Sequence, residues 1–408
     1  SLEGSLTAVC VGIQSLDFMS VLGARSVGGG VYASTGYQHA IASGRLSFVL
    51  GLQGPCASYD TACSSALVAI HAAHRALQLR ECTVALSACV NLMLTPAASL
   101  SCAIAGMTSA RGRCHTFDQR ADGYARAEAC YAVTLLPLDD EPKHLVSLRG
   151  IAVRSDGRSA SLTAPNGSAQ RALLRASLAH ALAAAADISC IEAHGTGTHL
   201  GDPVEAGSIA ASLLEDRDET SAVLALGSMK ASVGHAEPAA GLGGLMIMML
   251  GLTSSHSMPN AQLRNINQHV ASALRGHPHV TPTHLAHLHK QGAAGGVSSF
   301  GYSGTIAHAI LGLVQDIRSK DAPCSRTTRI QYRRHLFAWQ DQPHPLLQRR
   351  LADGATESVM FRSPFEGPLR DLVADHVVQG RVVFPGAGSL EMARAGCSLA
   401  LQSQRIPL

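Results

Sequence analysis

The chain has 408 residues, 46% of them hydrophobic and 15% charged, with 39 glycines. That composition fits a compact, well-buried enzyme fold and excludes a disordered chain, and the length allows one large domain or two to three ordinary ones. A net charge of +3 with no long Lys/Arg run gives no reason to expect nucleic acid as a partner.

In chain order, the sequence opens on Ser1 with nothing resembling a signal peptide. Strands are predicted over Gly54–Tyr59, Thr83–Ala88, Ile188–Glu192 and Val223–Leu226. Helices are predicted over Ser64–Leu79, Ala169–Ala185, Pro203–Leu214 and Ala239–Leu250. Strands alternating with helices indicate an α/β layered fold. The longest apolar run, Gly241–Leu252, is too short to span a bilayer and reads as a buried helix, so no membrane span is expected.

The pattern continues to Leu313, defining a first domain over 1–313. Residues 314–343 are richer in Arg, Lys, Ser and Pro and read as a linker, with Tyr332, Phe337 and Trp339 as anchors to the preceding domain. A new apolar pattern starts at His344 and runs through 344–408. About sixty residues is small for an independent core, so this piece reads as an incomplete second domain.

The eleven cysteines lack a CxxC pair, and several, such as Cys89 and Cys130, lie in apolar surroundings. They read as free thiols in a reducing compartment, the cytoplasm or alternatively a plastid. His277, His279, His284, His287 and His289 are interrupted by Pro278 and Pro282, with no Cys or carboxylate to complete a ligand set. They read as a solvated loop, and no metal is expected.

Cys63 is different. It lies between the strand ending at Tyr59 and the helix from Ser64, among the small residues Ala62, Ser64, Ser65 and Ala66. The positive end of the helix dipole is expected to lower its thiol pKa. Exposed backbone N–H groups there could hold a developing oxyanion. His194 follows a strand in the turn His194-Gly195-Thr196-Gly197-Thr198, and Lys230 and His235 share another turn before a small-residue helix. Loops at strand ends carry catalytic groups in open α/β sheets. The glycine spacing from Gly195 to Gly201 does not match GxGxxG, which excludes a dinucleotide site.

The blocks DTACSSAL, EAHGTGT, KASVGHAEPAAG and SSFGYSGTIAHAIL, in that order, resemble the ketosynthase domains of polyketide and fatty-acid synthases. TFDQRADGYARAEA and SLTAPNGSAQ are secondary matches, and the resemblance covers about residues 1–313. It implies a thiolase-like fold of two related α/β halves in five layers, acting as a homodimer. It also implies decarboxylative condensation of a Cys-bound acyl chain with a malonyl-type extender carried on the phosphopantetheine of acyl carrier protein. By the same resemblance Cys63 takes the acyl chain, and His194 and His235 hold the malonyl thioester and promote loss of its carboxylate. Lys230 supports the histidines, and Thr196 and Thr198 bind the phosphopantetheine arm. Phe300 is the gate residue whose backbone N–H completes the oxyanion hole. No cofactor is implied.

Two departures stand out. The chain ahead of Cys63 is shorter than the family expects, so the first part of that half is read as missing. Tyr302, Ser303 and Ile306 stand where the family more often has Phe, Gly and Asn, which puts a local hydrogen bond in question.

His344-Pro345-Leu346-Leu347 and the later His376, Gly380 and Pro385 resemble the start of a polyketide dehydratase domain, a partial hot-dog segment. His376 would be the base that removes an α-proton. That family takes its acid from a second half, so this chain alone is not expected to dehydrate. No acyltransferase motif separates the two domains, which implies an acyltransferase acting in trans. The alternative reading is a non-elongating or non-catalytic ketosynthase fragment that serves as a dimerisation or carrier-docking scaffold.

Overall fold

The structure, a computed structural model, describes residues 2–14, 16–23, 33–138, 146–217, 223–288, 294–314, 344–351, 360–366 and 368–403. His289, nearly all of the expected linker, and its anchors Tyr332, Phe337 and Trp339 lie outside the described residues. The chain divides into two compact units, Ser1–Ser319 and Lys320–Leu408.

The first unit contains β1 (Thr7–Gly12), β2 (Cys56–Tyr59), β3 (Val84–Asn91), β4 (Ala129–Leu135), β5 (Val146–Ser155), β6 (Ile188–Glu192), β7 (Leu224–Gly227), β8 (His256–Ser257), β9 (His279–Val280), β10 (Ala286–His287), β11 (Ala294–Phe300) and β12 (Thr305–Leu313). One sheet has the order β2-β1-β3-β4 and a second the order β5-β12-β11-β6-β7-β9. The two repeat one pattern. β2, β1 and β3 run parallel and β4 antiparallel to them, just as β7, β6 and β11 run parallel and β12 antiparallel. This is the relation between halves that the resemblance implied.

Burial explains the layering. The helix Ser65–Gln78 buries Ser65, Ala66, Leu67, Ala69, Ile70, Ala73 and Ala76, a helical stripe. The helix Ala240–Ser254 is apolar all round and buries most of its first ten residues, as a central helix must. Leu67 and Ile70 of the first, Leu242 and Leu245 of the second, Cys89 of one sheet and Ile151 and Val297 of the other share one core. The two helices therefore form a middle layer between the sheets. Outside the first sheet, Ala42 and Leu46 of the helix His39–Leu50 pack on Val9 and Val11. Outside the second, Leu174 of the helix Gly167–Ala181 and Ala206 and Ile209 of the helix Gly201–Ile209 pack on Ile188, Leu224 and Leu226. The result is five layers, α-β-α-β-α.

Ile306, where an Asn was the commoner choice, is fully buried with Ala152 and Leu173. An apolar contact occupies the place of the hydrogen bond in question. In the second unit, β13 (Arg349–Leu351) pairs with β14 (Met360–Arg362), and β15 (Val377–Val378) with β16 (Arg381–Val382). The turn between β15 and β16 has Gln379 at φ 49° and Gly380 at φ 75°, the left-handed pair that a two-residue hairpin loop demands. The helix Gly386–Ser403 follows.

Candidate active site

Sequence-distant loops at the carboxyl ends of β2, β6, β7 and β11 converge. Cys63 lies after β2 at the start of the helix Ser65–Gln78 and is 7% exposed. The Ser299 hydroxyl at the end of β11 donates to the Cys63 carbonyl at 2.7 Å. The next turn is pressed onto the cysteine loop: a Cβ added at Gly301 would sit 2.4 Å from the Thr61 carbonyl oxygen and 3.1 Å from Ser64 Oγ. This close approach brings the Tyr302 backbone N–H to the Cys63 sulfur, beside the N–H of Cys63 itself.

Two expectations are corrected here. Burial pushes the Cys63 thiol up to about 12, with the Glu237 carboxylate adding to the rise, while Lys230 and the two N–H groups pull it down. The helix terminus carries about half a charge, too little to offset full desolvation of a thiolate. Cys63 therefore rests as a thiol. The Phe300 N–H, expected at the oxyanion hole, instead donates to Nδ1 of His194 at 3.3 Å. The N–H facing the sulfur belongs to Tyr302.

Accepting that bond makes Nε2 the protonated nitrogen of a neutral His194. Burial holds the His194 imidazole well below its ordinary pKa, with Lys230 and His235 adding to the effect. The loop is clamped from behind: the N–H groups of His194 and Gly195 donate to the buried Glu205 carboxylate at 2.7 and 2.9 Å. The His194 ring meets Phe300 at 5.4 Å and His235 edge-on at 5.5 Å. His235 is fully buried, and neither ring nitrogen has a hydrogen-bond partner among the described residues. Burial, then Lys230 and Arg126, keeps it neutral.

Lys230 is not a surface residue. It is 3% exposed and donates from Nζ to the Ala193 carbonyl at 3.4 Å, one residue before His194. Glu192, buried nearby, accepts from the Ser228 hydroxyl at 3.1 Å and the Met229 N–H at 2.9 Å. Its carboxyl is raised to about 7 by burial, against the pull of Lys230. The hydroxyls of Thr196 and Thr198 lie 3.4 Å apart in the loop after β6, and Thr198 also accepts the Gly201 N–H.

Cys63, His194, His235, Lys230, Thr196, Thr198 and Phe300 thus fall in one region of the first unit. His376 belongs to the second unit, where it is exposed and its Nδ1 lies 2.7 Å from the Val383 carbonyl. Among the described residues no group of three or more His, Cys, Asp or Glu is arranged to hold a metal. The rings of His256 and His287 meet across the β8–β10 pair at 4.1 Å, tilted by 43°.

Sequence reasoning missed Tyr302 as the N–H donor, the clamp Glu205, and Tyr124, whose ring meets His235 edge-on at 5.0 Å. Tyr124 lies within TFDQRADGYARAEA, a block read only as a secondary match, and that was the available signal.

Comparison with known proteins agrees with this geometry. The β-ketoacyl synthase N-terminal domain matches residues 1–141, its C-terminal domain residues 145–264, and the polyketide synthase dehydratase domain residues 344–408. A phenolphthiocerol/phthiocerol polyketide synthase of Mycobacterium tuberculosis is 40% identical over 317 residues, covering 76% of this chain and 14% of that protein. A ketosynthase from module 6 of the bacillaene synthase of Bacillus subtilis 168 superposes with a TM-score of 0.70 at 31% identity, covering 77% of this chain and 55% of that one. An oxazolomycin ketosynthase domain of Streptomyces albus JA3453 gives a TM-score of 0.70 at 32% identity, covering 76% of this chain and 55% of that one. The chain thus spans a small part of its curated relative and about half of the solved ketosynthases.

The chain belongs to the β-ketoacyl synthase family, as a thiolase-like ketosynthase of the polyketide synthase type with a dehydratase-domain segment after it. In this family of condensing enzymes, substrates travel on the phosphopantetheine of acyl carrier protein. Among the described residues no helix is long and apolar enough to cross a membrane.

Proposed function

We propose that this chain extends a polyketide by decarboxylative condensation, with Cys63 as the acyl carrier. The observation that supports it most is the pairing of two neutral imidazoles, His194 and His235, in the region of a buried thiol, with both His235 nitrogens unpartnered. A buried polar group without a partner is costly and is commonly one that a ligand completes.

In the first half-reaction the Cys63 thiol attacks the thioester of an acyl-loaded carrier and gives up its proton. The N–H groups of Cys63 and Tyr302 stabilise the oxyanion, and the pantetheine thiol leaves with the proton. In the second, His194 Nε2–H and His235 hold the thioester carbonyl of a malonyl unit. Carbon dioxide departs, the enolate charge is shared with the two imidazoles, and the carbanion attacks the acyl carbonyl on Cys63. Collapse of that adduct expels Cys63 as a thiolate, which takes up a proton from solvent. Lys230 supplies positive charge behind the pair, and Thr196 and Thr198 bind the amides of the pantetheine arm.

The same reading takes acyl carrier protein as the partner and an acyltransferase in trans as the source of extender units. It takes a homodimer formed at the edge of the first sheet, where β2 has a neighbour on one side only among the described residues. The setting is a reducing compartment, the cytoplasm or a plastid, in keeping with the free thiols among the described cysteines. The domain boundaries are 1–313, 314–343 and 344–408, with His376 as a dehydratase base. Its Nδ1 contact with the Val383 carbonyl leaves Nε2 as the basic nitrogen.

Intact mass after incubation with an acyl-pantetheine thioester, alongside Cys63→Ala, tests the reading. One acyl adduct lost in the variant is expected. A folded protein that forms none would favour the non-elongating or scaffold role.

A further inference from the structure

His235 poses a positioning problem. A histidine is normally aimed by a hydrogen bond to one ring nitrogen. His235 has none among the described residues, yet it is fully buried. What surrounds it is the segment 124–127. The His235 N–H donates to the Ala125 carbonyl at 2.7 Å, and the Ala127 N–H donates to the His235 carbonyl at 2.9 Å. These bonds hold the backbone but leave the ring free to turn. The ring is instead bracketed by two aromatic neighbours, His194 at 5.5 Å and 87° and Tyr124 at 5.0 Å and 84°. Edge-to-face contacts of this kind favour a definite orientation.

Tyr124 is itself anchored. It is 9% exposed, and its hydroxyl lies 3.5 Å from Glu237 Oε1 and 3.6 Å from Cys102 Sγ. Glu237 is held in turn by Nε and Nη2 of the Arg126 guanidinium, which donate at 2.7 and 2.8 Å. Arg126 also donates to Ser99 at 2.7 Å. One short segment thus supplies the ring that brackets His235, the backbone that ties it, and the arginine that steadies the ring through Glu237.

We infer that Tyr124 is a positioning residue for the proposed condensation, acting through His235 by aiming its unpartnered imidazole with a ring edge rather than a hydrogen bond. This rests on the condensing reading above. The step most sensitive to that aim is decarboxylation, where two imidazoles must share one carbonyl oxygen. Acylation of Cys63 relies on the N–H groups of Cys63 and Tyr302 and depends on it less.

Tyr124→Phe keeps the ring and removes the hydroxyl, and Tyr124→Leu removes both. Two half-reactions are followed: acylation of Cys63 by intact mass, and carbon dioxide release from malonyl-pantetheine by the acylated protein. The expected result is a loss of about tenfold or more in carbon dioxide release for Y124L, with acylation within about threefold of wild type and most of the release regained in Y124F. Y124L releasing carbon dioxide at the wild-type rate overturns the inference, as does an equal fall in both half-reactions that Y124F does not relieve. Histidine-labelled protein gives a readout that needs no turnover. The His235 ring signals should move in Y124L and hold in Y124F, and an unmoved signal in Y124L refutes the positioning. A wild-type protein that forms no acyl adduct defeats the condensing reading, while the ring signals still decide whether Tyr124 aims His235.

Discussion

Gly301→Ala isolates one steric contact. The backbone of Gly301 lies outside the left-handed region, so alanine is conformationally acceptable there, and the cost comes from what its Cβ meets. That atom would sit 2.4 Å from the Thr61 carbonyl oxygen, a backbone atom that cannot rotate away. Restoring ordinary contact requires the two loops to part by about 1 Å, and a displacement of that size at a reacting centre costs on the order of 100-fold in rate. The adjacent Tyr302 carries the N–H proposed to hold the oxyanion at Cys63, and loss of one such donor costs on the order of 3 kcal/mol. The two routes describe the same loss and are not added. Acylation of Cys63 from an acyl-pantetheine thioester, timed by quenched intact mass, should therefore slow about 100-fold, while circular dichroism and a cooperative melt report an intact fold. Acylation within about threefold of wild type in a folded G301A protein would refute the reasoning, because the Tyr302 N–H would then be dispensable.

The Glu192 carboxyl is raised from 4.5 to about 7, so the folded protein holds a proton that the unfolded chain releases. Its contribution to stability is full below about pH 4.5 and is lost as pH rises to about 7, on the order of 3 kcal/mol in all. Urea unfolding at pH 5 and pH 8 should show wild type losing stability relative to Glu192→Gln, and a parallel pH response in the two proteins would count against it. For the second unit, exchange of the α-proton of a 3-hydroxyacyl thioester with deuterated water should be catalysed by the chain and lost in His376→Gln; equal exchange in both removes His376 as the base. Sedimentation velocity at micromolar concentration should show a dimer, and a monomer across that range would remove the pairing proposed at β2.

How much was legible in the sequence followed the range of the interaction concerned. The strand Ile188–Glu192 was placed at both ends, and the helix after Cys63 within one residue at each end, because period and punctuation are local signals. The helix predicted over Ala169–Ala185 stops at Ala181, where Leu182 turns left-handed at φ 50° without a glycine to announce it. The helix predicted to Leu214 is α-helical only to Ile209 and continues as a wider π turn over Ala210–Leu214, which no spacing of apolar residues distinguishes.

The residue types of the site were equally local, since each motif block carries its own cysteine, histidine or lysine on a strand-end loop. Their use was not. Whether the Phe300 N–H faces sulfur or imidazole depends on contact with a histidine 106 positions away. The Ser299 hydroxyl reaches a carbonyl 236 positions away. The pKa of Cys63 was misjudged for the same reason: a helix N-terminus is visible in sequence, but the burial that outweighs it depends on segments distant along the chain, among them the turn at Gly301. Sequence alone therefore determined which chemistry-bearing groups this protein has and which strand ends carry them, because periodicity and turn residues act over a few positions. Only the tertiary structure decided which N–H meets the sulfur, which ring aims His235 and which groups stay neutral, because desolvation and orientation are set by neighbours distant along the chain.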